Sequence, residues 1–97
     1  LILTKEHYDN IYQLDEETAG KVFSLATHVA KAVQEETGCE GLNIVQNNGE
    51  VAGQTVHHFH MHVIPRHAGD DVKVTWKQGE TESESLKALA DAIRKHI

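Results

Sequence analysis

The sequence contains few of the residues that cross-link or anchor a small protein. The only cysteine, Cys39, cannot form an intramolecular disulfide, as is typical of proteins from a reducing cytosol. No apolar run approaches the roughly 20 residues of a membrane span, and the N-terminus does not resemble a signal peptide. We therefore expect a cytoplasmic protein that makes no membrane contact. Its 97 residues are enough for one domain, residues 1–97, with a hydrophobic core.

Positive charge is also scarce in this sequence. Nine Lys and Arg residues stand against fifteen Asp and Glu residues, which gives a formal net charge of -6. Polymeric nucleic acids are normally bound by a basic surface, so we expect no nucleic-acid polymer as a partner. A small anionic ligand is still compatible with this charge, because it requires only a local site.

The pattern of apolar residues predicts one long helix and a second helix near the C-terminus. The first should follow the N-cap Asp15 and continue to Gly38, with apolar residues at three- and four-residue steps along one face. The second should begin at a capping box, residues 81–84, and is also amphipathic. Together with the strands described next, these helices predict an α+β fold in which an antiparallel sheet packs against the long helix.

Strand signals occur on both sides of a turn. Residues 1–4 are interpreted as the end of an early strand, and residues 42–46 and about 55–64 as an antiparallel pair connected by residues 47–53. Pro65 should end the second strand of that pair, because it cannot donate to the ladder. Residues 72–76 are a weaker strand candidate, and Trp76 within them is expected to pack in the core.

Histidine is abundant where the second strand is predicted, and four of the eight histidines lie within residues 57–62. His58, His60 and His62 alternate with Phe59, Met61 and Val63. Strand side chains alternate between the two faces, so three imidazoles should share one face, about 7 Å apart at their Cα atoms, while the apolar residues are buried. His57 should lie on the opposite face, at a partly buried or edge position.

Several interpretations fit an imidazole row. A single histidine on a half-exposed strand needs no function, but three in strict alternation make that interpretation poor. Two of the three could bind Zn²⁺ with a ligand from elsewhere, whereas all three extend over about 14 Å and cannot converge on one ion. A neutral imidazole can also attack phosphorus while its neighbours bind the phosphoryl oxygens. Residues 53–55 would add a hydroxyl, an amide and backbone N–H groups for phosphate oxygens.

The segment from Gly53 to Arg66, GQTVHHFHMHVIPR, resembles the signature of the histidine triad (HIT) family. Residues 4–8 and 43–49 are similar to other family segments, so the resemblance extends from Leu1 to about Arg66. It implies the HIT-like α+β fold, a homodimer and no cofactor. It also implies a hydrolase or transferase that acts at the α-phosphate of a nucleotide, such as a nucleoside phosphoramidate or a dinucleoside polyphosphate, with a purine nucleotide as ligand.

The resemblance also implies roles for single residues. His60 would be the nucleophile that forms a covalent nucleotidyl-histidine, and the backbone carbonyl of His58 would accept a hydrogen bond from its ring. His62 would contact the phosphate and assist the leaving group. The remaining implied residues are one imidazole behind the triad, His7, and the nucleotide- or phosphate-binding residues Asn47, Gly53, Gln54 and Thr55.

One departure from the family pattern concerns the N-terminus. The residues that supply the first helix and much of the nucleoside pocket in the family have no counterpart here, and the only methionine is Met61. We therefore expect an N-terminally trimmed fragment. This departure leaves an alternative function open, a nucleotide-binding regulatory or interaction module with little turnover. A histidine-ligated metal site is a second alternative.

Overall fold

Three antiparallel strands and two helices make up the computed structural model, which describes residues 1–97. This architecture confirms the predicted α+β class and the antiparallel sheet. The elements, in chain order, are β1 (Ile2–Leu3), α1 (Glu16–Thr37), β2 (Gly41–Val45), a short 3-10 helix (Glu50–Ala52), β3 (His60–Arg66) and α2 (Ser83–Arg94).

The long helix α1 begins and ends at the residues that the sequence predicts. The Asp15 carboxylate accepts a hydrogen bond from the Thr18 backbone N–H at 3.1 Å, which satisfies one of the free donors of the first turn. At the other end Gly38 adopts a left-handed conformation, with φ 65°, and its N–H donates to the carbonyl of Gln34. Local sequence signals therefore determine both ends of α1.

The strand order is β1-β3-β2, so the histidine-bearing strand β3 is central. It begins at His60, later than predicted, and continues through Pro65, which pairs in register with Leu42. The prediction that Pro65 ends the strand is therefore wrong. Strand β1 pairs only with His60 and Met61. Beyond Met61, the edge of β3 that faces β1 therefore has no strand partner, and a proline there removes no hydrogen bond between strands.

Two other predictions are wrong, one for the connection before β3 and one for the segment after it. The connection between β2 and β3 covers residues 46–59 and contains the 3-10 helix, so it is longer than the predicted 47–53. Residues 72–76 form no strand, and Trp76 is 83% exposed rather than packed in the core. This segment pairs with neither outer edge of the sheet, and sequence periodicity alone does not report such a pairing.

The core lies between α1 and the inner face of the sheet. Ile2 of β1, Val22 and Ala26 of α1, and Phe59 and Met61 form one buried cluster. Phe59 and Met61 are thus buried, as the alternation predicts, whereas Val63, the third apolar residue of the alternation, is only partly buried against this cluster. On the opposite side of β3 the histidines remain accessible to a ligand.

The C-terminal helix α2 is present but is not part of this core. All residues from 71 to 97 are exposed, and Glu82 caps α2 without a side-chain hydrogen bond, so the predicted capping box does not form. No helix in the chain combines the length and the apolar character needed to cross a membrane.

A small polar network holds the end of β3. The Arg66 guanidinium donates to both carboxylate oxygens of Asp70 at 2.9 Å, to Asn43 Oδ1 on β2 and to the carbonyl of Val72. Asp70 also accepts a hydrogen bond from the backbone N–H of His67. These contacts hold the pKa of the Asp70 carboxyl well below its usual range, and the hydrogen bonds from Arg66 are the largest cause.

This network predicts a pH-dependent contribution to stability. Because the carboxyl pKa of Asp70 is lower in the folded than in the unfolded chain, its contribution is present above the unfolded value of about 3.9 and is lost as the pH falls below it. In urea titrations, Asp70→Asn should therefore be less stable than the unmodified chain at pH 6, and the difference should shrink towards pH 2. A difference that is constant over this range would contradict the network. Asp71→Asn, at an exposed neighbour, is the matched control.

Candidate active site

The three alternating histidines form one wall of an open pocket of about 490 Å³. Their rings share this pocket because residues two apart on an extended segment point to the same side of it. Loop residues that precede β3 and side chains of the N-terminal strand complete the lining. The lining residues are Leu1, Leu3, Thr55, Val56, His58, His60 and His62.

His60 is oriented by a hydrogen bond within its own segment. Its Nδ1 donates to the backbone carbonyl of His58 at 2.7 Å, which is the contact that the resemblance implies. A neutral ring with its proton on Nδ1 carries a lone pair on Nε2. The His62 ring lies beside it, with ring centroids 5.1 Å apart and the planes inclined at 76°. The pocket therefore presents one oriented basic nitrogen next to a second imidazole.

The His58 ring makes no hydrogen bond to the His60 ring and joins a separate chain of polar contacts. Its Nε2 donates to the carbonyl of Thr4 at 2.9 Å, and its Nδ1 lies 3.2 Å from Nδ1 of His7. Nε2 of His7 lies in turn 2.7 Å from Oδ1 of Asp9. The chain of contacts thus connects the wall of the pocket to an acidic residue of the loop that follows β1.

Gln54 is buried beneath the loop and is anchored there by its amide group. Both of its side-chain N–H donors are used, one on the carbonyl of Asp9 at 2.6 Å and one on the carbonyl of Val56 at 3.0 Å. Its side-chain oxygen accepts from the N–H of Gly49 at 2.8 Å. These contacts use both side-chain donors and hold three segments together, and the contact of Gln54 with phosphate stays a prediction.

Gly53 and Asn47 lie against each other in the same loop. Gly53 has φ 97°, and a Cβ atom at this position would lie 3.3 Å from Nδ2 of Asn47. The half-buried Asn47 and the exposed Thr55 have side-chain polar groups that the loop does not bury. Of the implied phosphate-binding residues, only Thr55 lines the same pocket as the three histidines.

His57 lies outside the pocket, as its position on the opposite face predicts. Its ring is exposed, rather than partly buried, and lies 3.9 Å from the Glu50 carboxylate. The structure gives no support to the alternative of a histidine-ligated metal site, because no group of three or more His, Cys, Asp or Glu side chains could hold an ion.

Sequence reasoning missed two members of the polar chain, Thr4 and Asp9. Thr4 acts through its backbone carbonyl, which no side-chain pattern reveals. Asp9 follows His7 at a spacing of two in a polar loop, and this short His-x-Asp pattern is the only signal that could have identified it. His58, the partner of Thr4, is 54 positions away in sequence, and Asp9 is connected to it only through His7.

Comparisons with known proteins identify the family of this chain. The model of the HIT domain matches residues 1–69. The chain is 37% identical to the protein named hit of Bacillus subtilis, covering 100% of this chain and 69% of that protein. It is 34% identical to the adenosine 5'-monophosphoramidase hnt1 of Schizosaccharomyces pombe, covering 100% of this chain and 71% of that protein.

A solved structure gives the same result for the fold. The crystal structure of a HIT family protein from Bacillus anthracis superimposes with a TM-score of 0.91 at 38% identity, over 98% of this chain and 70% of that one. The family model covers the strand that carries the histidines together with the loop and helix that support it. The alternating histidines, the fold and the similarity over most of its length all show that this chain belongs to the HIT domain family, the histidine triad proteins.

Proposed function

We propose that this chain is a nucleotide-binding hydrolase or transferase that acts at the α-phosphate through a covalent nucleotidyl-histidine. The observation that carries the proposal is the hydrogen bond from Nδ1 of His60 to the carbonyl of His58. It keeps the ring proton away from the pocket and leaves Nε2 as a nucleophile beside a second imidazole. The similarity to a named adenosine 5'-monophosphoramidase supports a nucleoside phosphoramidate as one substrate.

In the first step, Nε2 of His60 attacks the α-phosphorus of an adenosine 5'-phosphoramidate. The new bond joins nitrogen to phosphorus, and the bond between phosphorus and the leaving amine breaks. His62 lies next to the attacking ring, and in its protonated form it can donate a proton to the departing nitrogen. Ammonia leaves, and the AMP moiety stays bound to His60 as a phosphoramidate.

In the second step, water attacks the same phosphorus. His62, now neutral, accepts a proton from the water, and the bond between phosphorus and His60 breaks to release AMP. His60 returns to its neutral form with the proton still on Nδ1, where the carbonyl of His58 holds it. Atoms and protons balance over the two steps, and no cofactor is required.

Phosphate binding in this proposal does not use a lysine or an arginine side chain. The pocket lining contains no lysine or arginine, and it contains the hydroxyl of Thr55 and three imidazoles. Gln54 contributes indirectly, since its buried amide holds the loop on which Gly53 and Thr55 lie. Asn47, adjacent to Gly53, is the proposed contact to the nucleotide on the other side of the loop.

A substitution of the proposed nucleophile tests the mechanism. His60→Asn should lower the rate of adenosine 5'-phosphoramidate hydrolysis at least about a thousand-fold, because covalent catalysis requires the ring nitrogen. The matched control is His57→Asn, since His57 is an exposed histidine of the same segment outside the pocket. Mass spectrometry of an acid-free quench should detect the chain plus one nucleotidyl group, located on the peptide that contains His60.

An undiminished rate in His60→Asn, or an equal loss in His57→Asn, would overturn the mechanism. Calorimetry with AMP on the same preparation separates the enzyme from the alternative, a binding module. Binding of AMP without any turnover of the phosphoramidate by the unmodified chain would favour the module.

A pair of glycine substitutions tests the role of the loop. Gly53 and Gly69 both have positive φ, so Gly53→Ala and Gly69→Ala should each lower stability by about 1 kcal/mol through backbone strain. Only at Gly53 would the new methyl group press on Asn47, whereas no atom lies within 4 Å at Gly69. Gly53→Ala should therefore weaken AMP binding in calorimetry, and Gly69→Ala should not. Equal affinities in the two variants would remove this loop from the binding site.

We also propose that the active form is a homodimer that associates through α1. An apolar pocket of about 340 Å³ lies beside this helix, and Phe23, which lines it, is 59% exposed. Ala19 on the same face permits close approach by a second copy. A two-fold interface uses the same patch on both subunits, so one exposed aromatic residue is repeated at the contact.

Sedimentation velocity tests the homodimer. The unmodified chain should sediment with twice its mass of 10.8 kDa, and Phe23→Asp should sediment as a monomer, because two carboxylates would be buried at the contact. Val51→Asp, at an exposed apolar residue of the 3-10 helix, is the control and should leave the dimer intact. A monomeric unmodified chain at micromolar concentration would refute the interface.

A further inference from the structure

The contacts of Thr4 determine which nitrogen of His58 carries a proton. The Thr4 hydroxyl donates its hydrogen to the carbonyl of Glu6 at 2.8 Å, so towards His58 its oxygen can only accept. The Thr4 carbonyl, at 2.9 Å from Nε2 of His58, is also an acceptor. Both groups therefore require a proton on Nε2 of His58. If the ring is neutral, its Nδ1 has no proton and must accept a hydrogen bond.

The next two contacts then require one proton more than two neutral rings carry. Nδ1 of His7 is 3.2 Å from Nδ1 of His58, so one of these nitrogens must donate to the other. Nε2 of His7 is 2.7 Å from a carboxylate oxygen of Asp9, and this contact also needs a proton. Three hydrogen bonds over four ring nitrogens need three protons, whereas two neutral imidazoles supply only two.

The third proton makes the His7–His58 pair a cation, and Asp9 is the group that balances it. The distance of 2.7 Å is typical of a hydrogen bond between a charged donor and a charged acceptor. Asp9 is itself oriented by Gln13, whose side-chain oxygen accepts from the Asp9 backbone N–H at 2.8 Å and whose amide lies 3.4 Å from the second carboxylate oxygen.

We propose that Asp9 is a positioning residue whose carboxylate holds a third proton on the His7–His58 pair, so that the pair presents a positive charge at the wall of the phosphate pocket. This inference rests on the proposed function, in which the α-phosphate binds beside His58. The pocket lining contains no lysine or arginine, and the charged pair supplies the cation that a phosphoryl-transfer site otherwise takes from those residues.

Other titratable groups around the pair have different partners. The Glu6 carboxylate lies 3.3 Å from the hydroxyl of Tyr8, whose single hydrogen it shares with the Asp15 carboxylate at 3.0 Å. His60 approaches His58 through the backbone carbonyl and not through the ring, and His62 contacts His60. Asp9 is thus the one carboxylate within hydrogen-bonding distance of either ring of the pair.

The experiment counts the protons directly. In nitrogen-15 NMR of the full chain at pH 7.5, three of the four ring nitrogens of His7 and His58 should be protonated. Asp9→Asn keeps an oxygen that can accept a hydrogen bond but removes the charge, and should lower the count to two. Asp9→Glu, which keeps the charge, should retain three. Glu50→Gln is the matched control, because Glu50 pairs with His57 outside the pocket and its loss should leave the count at three.

The pH profile gives a second measurement, which a purely structural role would not change. Loss of the Asp9 charge makes the third proton easier to remove, so the alkaline limb of kcat/KM should move to lower pH in Asp9→Asn. At pH 7.5 the loss in kcat/KM should be about twofold to fivefold, the size of an exposed ion pair, with Glu50→Gln unchanged.

A count of two in the unmodified chain, or an unchanged count in Asp9→Asn, overturns the proposal. If Asp9→Asn lowers the proton count but leaves the pH profile of kcat/KM unchanged, the link between the charged pair and catalysis is overturned. Failure of the proposed function is distinguishable from both outcomes, because it would appear as absence of nucleotide hydrolysis in the unmodified chain. The proton count would then still decide whether Asp9 charges the pair.

Discussion

The site depends on the two-residue period of the segment around β3. That period places Phe59 and Met61 in the core and the neighbouring imidazoles in the pocket, so the burial that stabilises the sheet also orients the reactive side chains. A shift of register by one residue would bury histidines and expose the apolar side chains. Packing of α1 against this strand, through Val22 and Ala26, therefore fixes the orientation of the histidines as well as the fold.

A buried amide connects the loop that follows β1 to the loop that precedes β3. Gln54 connects the backbone at Asp9, Gly49 and Val56, which are three separate positions around the pocket. A buried amide with all its donors satisfied is stabilising, whereas the same amide without partners would be strongly destabilising. Gln54 thus anchors the segment that leads into the pocket-lining residues Thr55 and Val56.

Sequence reasoning succeeded where the determining interactions are local. Asp15 and Gly38 define the ends of α1 through contacts within one turn, and the alternation around Met61 is a property of one strand. It failed where the outcome depends on distant partners. Pro65 is tolerated because β1 is only two residues long, and Trp76 is exposed in a segment that pairs with no strand of the sheet. The orientation of His60 was inferred from family resemblance, since a backbone carbonyl carries no side-chain signal.

The acidic net charge of -6 and the proposed binding of a phosphate are compatible once the charges are considered by location. The Arg66 guanidinium is occupied by Asp70, Asn43 and Val72 at the far end of β3, so it is not available to a ligand in the histidine pocket. Any positive charge in the pocket has to come from imidazoles that lie there. Imidazole changes its charge near neutral pH, so a pocket of this kind can present a cation to a phosphate and still supply a neutral nucleophile from the same strand. Separate hydrogen-bond partners make this division possible. The carbonyl of His58 keeps a proton on Nδ1 of His60, while the side chain of His58 belongs to a different network.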